Sequence, residues 1–493
     1  MRKSKTSNLI VSYFWGNIAV SIASLISFPI FTRVFSVSSY GILALVTSTL
    51  TIIIAFSKMG IQNSIIRWYP EYEIASKEKK SVFFSTYLYS ITMTGVFVAI
   101  VFIILVPYIT HNMLSLDDSL PFYIGALFIP FHSFYSTILN FYKAQKESAL
   151  FNIVAILETY LPLIVGILFL FYFGAKVSNF LIGGFLAKIL YSSYFYKKIH
   201  DRHHLSFRFI SYDLLGNAFW YGFPLMLFEL VSNLLAYGDR FIIKYFLKET
   251  DVAIYSVGYN LSMYLANIFT TPLNTAIQVE YMGIWTKFGK DKTEEYLSKI
   301  LKAIMYFGVM FCMFSILNFK YIILLFASTK YIESVKIAPL VMTSLIVYSL
   351  YPIFGAGIYI AKATKNLLYC VFGALVLNFT ANFILIPRVG IMGAAIATFA
   401  SYAIASFVIY RMGSKIVSIK MENKSILLCL LAGCTAYYLC TLFEFNSIVL
   451  NVLSKSISSL CIYSAILIIF DREFGSYLQM GYSFIRPAFN RNG

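Results

Sequence analysis

A few ionisable residues interrupt the long apolar runs of this sequence, and they are the first candidates for chemistry. Glu158 lies four residues before Pro162, and a proline removes one backbone hydrogen bond from a helix. Lys188 lies inside another apolar run. A charged group in such surroundings is costly unless it faces a partner or a water-filled cavity. Glu158 is therefore either hydrogen-bonded to a neighbouring Ser, Tyr or Lys or binds a proton or cation, and Lys188 either points into a cavity or pairs with Glu158.

A polar stripe follows one face of another predicted helix. Glu229, Asn233 and Tyr237 are spaced four residues apart in an otherwise apolar run, and residues with this spacing lie on one face of a helix. Polar residues within a membrane helix usually face the interior of the bundle or a water-filled cavity. We therefore expect this stripe to line a lumen, with the carboxylate of Glu229 as a candidate ion site.

A narrower polar line precedes Pro29 and Arg33. Asn17, Ser21 and Ser24 lie on one side of the predicted first helix. This line is either a hydrogen-bonded contact with a neighbouring helix or part of the lining of the same lumen.

Several function classes are excluded by what the sequence lacks. It contains no Walker A sequence, HExxH motif or nucleophile elbow, so we do not expect ATP hydrolysis. The six cysteines form no CxxC pair, so neither a metal site nor a disulfide framework is indicated, and no cofactor is expected. No soluble basic domain is present to bind nucleic acid.

The composition indicates that lipid is the solvent of these candidate residues. The chain has 493 residues, of which 59% are hydrophobic and 12% charged, with a mean hydropathy of +0.76. Fourteen apolar segments approach the length of about 20 residues that a spanning helix needs, which predicts an all-α integral membrane protein. The segments are 8–30, 40–57, 81–106, 120–142, 149–173, 177–196, 214–237, 252–279, 301–319, 337–361, 366–386, 390–410, 425–443 and 446–470.

The distribution of Lys and Arg predicts the orientation. Of the 39 cations, 28 fall in alternate connections and at the two termini, and these positions are assigned to the cytoplasm because cytoplasmic loops are enriched in Lys and Arg. One of them is Lys58, in the polar connection 58–80. Most of the net charge of +17 is then explained by orientation and by contacts with anionic lipid.

An internal repeat with a period of roughly 210 residues divides the chain. NFYKAQKESALFN (140–152) corresponds to IYIAKATKNLLYC (358–370), and NFLIGGFLAKI (179–189) corresponds to GIMGAAIATFA (390–400). We expect two six-helix lobes, 1–213 and 214–422, followed by two extra helices and a cytoplasmic tail in 423–493. Duplicated bundles with a site at their interface are typical of alternating-access transporters.

Three motifs carry a resemblance to a known family. FTRVFSVSSYG (31–41), LLAYGDRFIIKYFLKETDVAIYSVGY (234–259) and ILIPRVGIMGAAIAT (384–398) resemble the polysaccharide-transporter branch of the multidrug/oligosaccharidyl-lipid/polysaccharide (MOP) exporter superfamily. Within it, the chain is similar to Wzx-type flippases for O-antigen or capsule repeat units. The resemblance extends over essentially the whole chain.

The resemblance implies transport rather than enzymatic catalysis. The expected substrate is an undecaprenyl-diphosphate-linked oligosaccharide, moved from the cytoplasmic to the outer leaflet of the inner membrane in lipopolysaccharide or capsule biosynthesis. Coupling to H+ or Na+ and partnership with membrane lipids and with polymerase and chain-length proteins are also implied. Flippases for lipid II or teichoic-type precursors, exporters of the MATE type and, less favoured because the outer connections are short, a glycosyltransferase or polymerase remain alternatives.

The candidate site combines motif residues with residues chosen from the apolar runs. Arg33, Asp239 and Arg240 match motif positions, although Asp239 and Arg240 also fit a local ion pair. The candidates for binding diphosphate or glycan are Arg33, Lys188, Arg240, Asn17, Asn233 and Tyr237. The candidates for ion coupling are Glu158, Glu229 and Asp239.

Overall fold

A computed structural model describes residues 2–420, 422–471 and 473–477, and every regular element in these ranges is a helix. The helices are α1 (Arg2–Val34), α2 (Val37–Ser57), α3 (Ile61–Glu73), α4 (Lys77–Pro107), α5 (Leu120–Ala144), α6 (Ser148–Phe173), α7 (Val177–His203), α8 (Tyr212–Tyr237), α9 (Asp239–Phe246), α10 (Glu249–Phe326, interrupted by non-helical backbone at Gly289), α11 (Ala338–Ser349), α12 (Tyr351–Phe354), α13 (Ala356–Ile360), α14 (Thr364–Val389), α15 (Ile391–Gly413), α16 (Asn423–Thr441) and α17 (Ile448–Phe470). Short π or 3-10 segments cover Tyr108–Met113, Phe207–Phe209 and Thr329–Lys336.

The predicted fold class, an all-α membrane protein, is confirmed. Within the described residues, 11 helical stretches are long and apolar enough to span a membrane, and all fourteen predicted segments overlap helices. The segments 8–30, 177–196 and 252–279 are not among those 11 stretches, so the count of fourteen spans stays a prediction.

Serine caps set the start of several helices. Ser36, Ser76 and Ser211 precede α2, α4 and α8, and each side chain accepts a hydrogen bond from the backbone N–H three residues later, at 3.1, 3.4 and 3.3 Å. Such a cap satisfies one of the N–H groups that a helix start leaves without a partner. The short polar sequence between apolar runs therefore determines where each helix begins.

The connection between α2 and α3 is a kink inside the bundle. Met59 and Gly60 have φ angles of 48° and 70°, a left-handed conformation that interrupts the helix. Gly60 lies against Gly222 of α8, where an added Cβ atom would come within 2.0 Å of the Gly222 carbonyl oxygen. Only glycine satisfies both the backbone angle and this close approach.

This kink corrects the predicted position of Lys58. The residue before it, Ser57, hydrogen-bonds through its hydroxyl to Ser133 of α5 at 2.9 Å, and its carbonyl accepts a bond from Thr94 of α4 at 2.9 Å. Thr94 and Ser133 lie near the middle of their helices. Lys58 therefore lies level with the middle of α4 and α5, and its assignment to a polar connection was wrong because the kink was read as the end of a span.

The chain forms two compact units. The first comprises Met1–Ser256 and Asn382–Gly390, and the second comprises Val257–Ala381 and Ile391–Gly493. Helix α8 belongs to the first unit, whereas the sequence repeat assigned it to the second lobe. The lobe boundaries at 213 and 422 stay a prediction.

Aromatic packing holds the first unit together. Phe83 and Phe84 of α4 contact each other edge to face at 5.5 Å, and Phe84 contacts Phe141 of α5 at 4.6 Å. Phe195 of α7 is 1% exposed in the same cluster. Large rings in edge-to-face contact contribute strongly to a helical core, and this core fixes α5 and α7 relative to each other.

In the second unit, the last two helices pack against the second half of α10. Tyr306 and Met313 of α10 share a buried cluster with Ala432 of α16 and with Tyr463 and Leu467 of α17. The Tyr463 hydroxyl donates to the Tyr306 carbonyl at 2.8 Å. The two extra helices are thus integrated into the packing of this unit.

Candidate functional site

The first unit contains a buried charge network centred on Glu158. Lys188 Nζ donates to Oε1 of Glu158, and the Tyr191 hydroxyl donates to Oε2. Glu158 is 8% exposed and Lys188 is 3% exposed. The ammonium also lies over the Phe128 ring, 5.4 Å from its centroid. Of the two arrangements that the sequence left open, Lys188 adopts the one in which it pairs with Glu158.

The chain geometry explains why these residues meet. Helices α6 and α7 are joined by a short turn at Gly174, so they run antiparallel. Glu158 and Lys188 are at nearly equal distances along the chain from that turn, which places them at the same level. Tyr191 follows Lys188 by three residues and therefore shares its helix face.

His132 of α5 is a third partner of Glu158. Its Nδ1 atom lies 3.1 Å from Oε1 of Glu158, and its side chain is 32% exposed. Sequence analysis did not select it, because a single histidine in an apolar run has no neighbour in sequence that indicates a role. Its partner is supplied by α6, which packs against α5.

A second ion pair joins Lys58 to Glu229. Nζ of Lys58, at the C-terminal end of α2, lies 2.6 Å from Oε1 of Glu229 on α8. The side chains are 13% and 33% exposed, so this pair is more accessible than the Glu158 pair. Lys58 was missed as a site residue because a charge directly after an apolar run normally marks the end of a span.

The polar stripe of α8 faces α2 over two of its three residues. Asn233 donates from Nδ2 to the Thr51 carbonyl of α2 at 3.4 Å, one helical turn beyond Glu229. Tyr237, the third member, lies instead beside Arg240, whose Cζ atom is 5.0 Å from the ring centroid. The structure thus separates Tyr237 from the Lys58 pair.

The two ion pairs are linked through His132. The Ser57 hydroxyl, one residue before Lys58, hydrogen-bonds at 2.9 Å to the hydroxyl of Ser133, one residue after His132, and the charge of Lys58 acts on the imidazole together with those of Lys188 and Glu158. Neighbouring charges act on one another strongly where the surrounding dielectric constant is low. The residues Lys58, Glu229, His132, Glu158 and Lys188 therefore form one network, which we call the central charge network.

Asp239 and Arg240 form a separate, fully buried cluster. Arg240 Nη1 donates to Oδ1 of Asp239 and to the Ala236 carbonyl, each at 3.0 Å, and the Tyr255 hydroxyl donates to Oδ2 of Asp239. Both charged residues are 1% exposed. The local ion pair that the sequence allowed is therefore present, and Arg240 is not accessible to a ligand in this conformation.

The first two of the three motifs that carry the family resemblance, 31–41 and 234–259, pack against each other. The Ser38 hydroxyl donates to Oε1 of Glu249 at 3.2 Å, and Lys244 Nζ donates to Oε2 at 3.1 Å. A Cβ atom added at Gly41 would lie 1.9 Å from the Glu249 carbonyl oxygen. These motif residues therefore have a packing role.

Arg33, another predicted residue, lies outside the central charge network. Arg33 is exposed at the end of α1, where Nη1 donates to the Pro29 carbonyl at 3.4 Å. The side chain of Asn17 is outside the part of the chain that the structure describes.

A cavity of about 200 Å³ adjoins the central charge network. Its lining includes Ser24 and Ser27 of α1, Phe128 of α5, Thr159 of α6 and Gly184 of α7. The ammonium group of Lys188 lies over the ring of Phe128. Ser24, predicted to contact a neighbouring helix or a lumen, thus lines an open pocket that has room for several water molecules.

Comparison with known proteins gives a family match over more than half of the chain. Residues 8–277 match the model of a family described as polysaccharide biosynthesis protein. No curated protein matches the chain.

Solved structures share the fold at low sequence identity. A structure of the lipid II flippase MurJ in an inward closed conformation has a TM-score of 0.75 and 16% identity, and the match covers 94% of this chain and 99% of that one. An inward-facing multidrug resistance MATE family transporter of the MOP superfamily has a TM-score of 0.67 and 14% identity, over 80% of this chain and 94% of that one.

Proposed function

The chain belongs to the family of polysaccharide biosynthesis proteins, and on this basis we propose that it is a flippase for a lipid-linked oligosaccharide. The substrate is an undecaprenyl-diphosphate-linked repeat unit of O-antigen or capsule. The protein moves it by alternating access from the cytoplasmic to the outer leaflet of the inner membrane, with both of its own termini in the cytoplasm. It acts as a transporter and has no enzymatic activity.

The Lys58–Glu229 ion pair is the observation that carries this proposal. A diphosphate needs a cation that can be exchanged between a protein carboxylate and the substrate. Lys58 meets this need, because its counter-ion Glu229 is one third exposed. Lys188 and Arg240 are more than 95% buried and hold their own carboxylates, so we transfer the role of diphosphate ligand from them to Lys58.

Exchange at Lys58 gives a route for binding and release. In one facing state, the substrate diphosphate displaces Glu229 from Lys58. In the other state, Glu229 pairs with Lys58 again and the diphosphate is released. Uptake of H+ or Na+ by the Glu229 carboxylate neutralises it and breaks the link between α2 and α8, which biases the exchange between facing states. A ligand shifts such an equilibrium only through its different affinity for the two states.

The rest of the substrate sets further requirements. A glycan cannot cross about 30 Å of hydrocarbon without replacement of its hydrogen bonds to water, and polar side chains such as Asn233 supply these. The polyprenyl tail stays in lipid, so membrane lipids are direct partners. Polymerase and chain-length proteins of the same pathway then receive the repeat unit on the outer side.

Surface glycan in a deletion strain tests the function. We expect loss of surface polymer and accumulation of the lipid-linked repeat unit in the inner leaflet, both restored by the wild-type chain. Normal surface polymer without this protein would contradict the proposal. Polymerisation of repeat units by the purified protein would instead indicate an enzyme.

A flippase for a lipid II or teichoic-type precursor is the second candidate. It is favoured by the similarity to the lipid II flippase MurJ over 94% of this chain. Reconstituted protein tested with repeat-unit lipids, with lipid II and with a small cationic drug distinguishes the candidates. Transport of the drug alone would indicate an exporter of the MATE type.

A further inference from the structure

His132 lies where the two ion pairs of the central charge network approach each other. We propose that His132 is a proton-binding switch that sets the affinity of the Lys58 site for a diphosphate, and that affinity is higher when His132 is protonated. This inference rests on the proposed function, because it concerns the site at which the substrate head group binds.

The contact with Glu158 indicates which ring nitrogen can take up a proton. Nδ1 of His132 faces Oε1 of Glu158 at 3.1 Å, and a carboxylate only accepts hydrogen bonds, so the neutral ring carries its hydrogen on Nδ1. Nε2 then holds the free lone pair. The proposal requires that the exposed third of the side chain faces water, so that Nε2 can take up a proton while the contact with Glu158 is kept.

The charged groups that act on the ring come from three helices packed against α5. They are Lys58 at the end of α2, Glu158 of α6 and Lys188 of α7. Tyr191 of α7 also bonds to Glu158.

The other two neighbouring helices present uncharged residues to this stretch of α5. Helix α4 meets Pro130 and Ser133 at Gly95. Helix α3 contributes Ile61 and Ile65 to the apolar cluster that contains the following turns of α5. The charged groups around His132 are therefore Lys58, Glu158 and Lys188, with Glu229 acting through Lys58.

A proton on His132 changes the net charge of the central charge network from zero to +1. With the ring neutral, Lys58 balances Glu229 and Lys188 balances Glu158. The added positive charge acts on Lys58, the group that exchanges Glu229 for the diphosphate. Binding of the anion and binding of the proton therefore favour each other, and this coupling is reciprocal.

The two buried members of the network are less suited to this role. Glu158 and Lys188 are more than 90% buried and bonded to each other, so a proton gained or lost there would leave an unpaired buried charge. A diphosphate that is accompanied by one proton still carries negative charge outward, and an inside-negative membrane potential favours that step.

The test uses the full-length protein in detergent with geranylgeranyl diphosphate, which has the diphosphate but no sugar. Its dissociation constant is measured by calorimetry at pH 5.5 and pH 8 for the wild type, for His132→Gln and for the matched control His111→Gln at an exposed histidine. The ratio of affinity at pH 5.5 to affinity at pH 8 includes the titration of the ligand itself. We expect this ratio to be about tenfold larger in the wild type and His111→Gln than in His132→Gln, within the usual range for coupled sites.

Equal ratios in the wild type and His132→Gln would overturn the switch and leave the proposed function intact. Absence of binding by the wild type at both pH values would overturn the switch and also remove the support for a diphosphate site. If His132→Gln does not fold, His132→Asn is measured instead, and the uptake of protons on ligand binding is compared between the wild type, His111→Gln and His132→Asn. We expect larger uptake in the wild type and His111→Gln than in His132→Asn, and equal uptake in all three would overturn the proposal.

Discussion

Lys188 on α7 donates a hydrogen bond to Glu158 on α6, and both residues lie almost entirely away from solvent. Such a pair gains little over an apolar contact, because each charge loses its hydration on burial. Once the pair is present, however, loss of either residue leaves the charge of the other buried without a partner. We therefore treat this pair as the structural part of the central charge network and the Lys58–Glu229 pair as the exchangeable part.

Breaking the buried pair should destabilise the protein. Glu158→Gln or Lys188→Met leaves one charge buried without its partner, and we expect the free energy of unfolding to fall by about 3–5 kcal/mol. Thermal unfolding of the purified variants, together with their abundance in membranes, measures this. The double variant Glu158→Gln/Lys188→Met should recover most of the loss. If the double variant loses as much stability as the two single variants together, the pairing is contradicted. Arg202→Gln is the control, because it breaks an exposed ion pair with Glu147, and it should change the free energy of unfolding by less than about 1 kcal/mol.

Substitution of Lys58 should impair transport more than folding. Lys58→Gln removes the exchangeable cation, and we expect flipping of the lipid-linked substrate to fall by at least about tenfold, since one charge-assisted bond contributes about 1.5–3 kcal/mol. A fluorescence assay in proteoliposomes measures the flipping rate. Lys58→Arg keeps the charge and should retain part of the activity. Full activity of Lys58→Gln at normal abundance would exclude Lys58 as the head-group ligand.

Arg240 and Arg33 should behave differently although both belong to the family motifs. Arg240→Ala leaves Asp239 buried without its ion-pair partner, and we expect a loss of about 3–5 kcal/mol in stability and of abundance in membranes. Arg33→Ala removes an exposed side chain and should leave abundance unchanged. Immunoblots of membrane fractions measure both. Normal abundance of Arg240→Ala with no transport would show that Arg240 acts on the substrate in another conformation.

The stability of the protein should fall on acidification through the titration of His203. This residue ends α7 outside the predicted span, and its ring stacks on Phe84 at 3.7 Å. Burial, assisted by the charges of Arg202 and Lys80, lowers its pKa from 6.5 to about 4.

The lowered pKa of His203 determines the direction in which stability changes with pH. The unfolded chain binds this proton near pH 6.5 and the folded chain only near pH 4, so the stabilising contribution is complete above about pH 6.5 and is lost as the pH falls toward 4. We expect His203→Gln to reduce the loss of stability between pH 7 and pH 4 by roughly 2 kcal/mol. Thermal unfolding across this range measures it, with the exposed His200→Gln as control. Identical pH profiles for the wild type and His203→Gln would exclude His203 as the titrating group.

The helical membrane fold was predictable because length and apolar composition alone identify spanning helices. The break between α2 and α3 was not, since it depends on positive φ angles at Met59 and Gly60 and on the close approach of Gly222. A positive charge after an apolar run has the same appearance in sequence whether the helix leaves the membrane or kinks within the bundle. This ambiguity is why Lys58 was assigned to a connection.

The candidate site was predictable only in part for a related reason. Glu158 and Lys188 were selected because each is rare in an apolar run, and their pairing was one of two expected arrangements. His132 and Tyr191 have no partner near them in the sequence, and only the packing of α5, α6 and α7 gives them a common partner. The roles of the nine predicted site residues in transport stay predictions.

The contact between Gly60 and Gly222 has a mechanical consequence. With no side chain between the two backbones, α3 and α8 meet most closely at this point, and we expect a tilt of α8 to be centred there. Glu229 lies seven residues beyond Gly222, about 10 Å along the helix at 1.5 Å per residue, so a rotation of about 20° would displace it by roughly 3.5 Å. Lys58 is only two residues from Gly60 and would scarcely move. A small rotation of α8 would therefore be enough to form or break the Lys58–Glu229 ion pair.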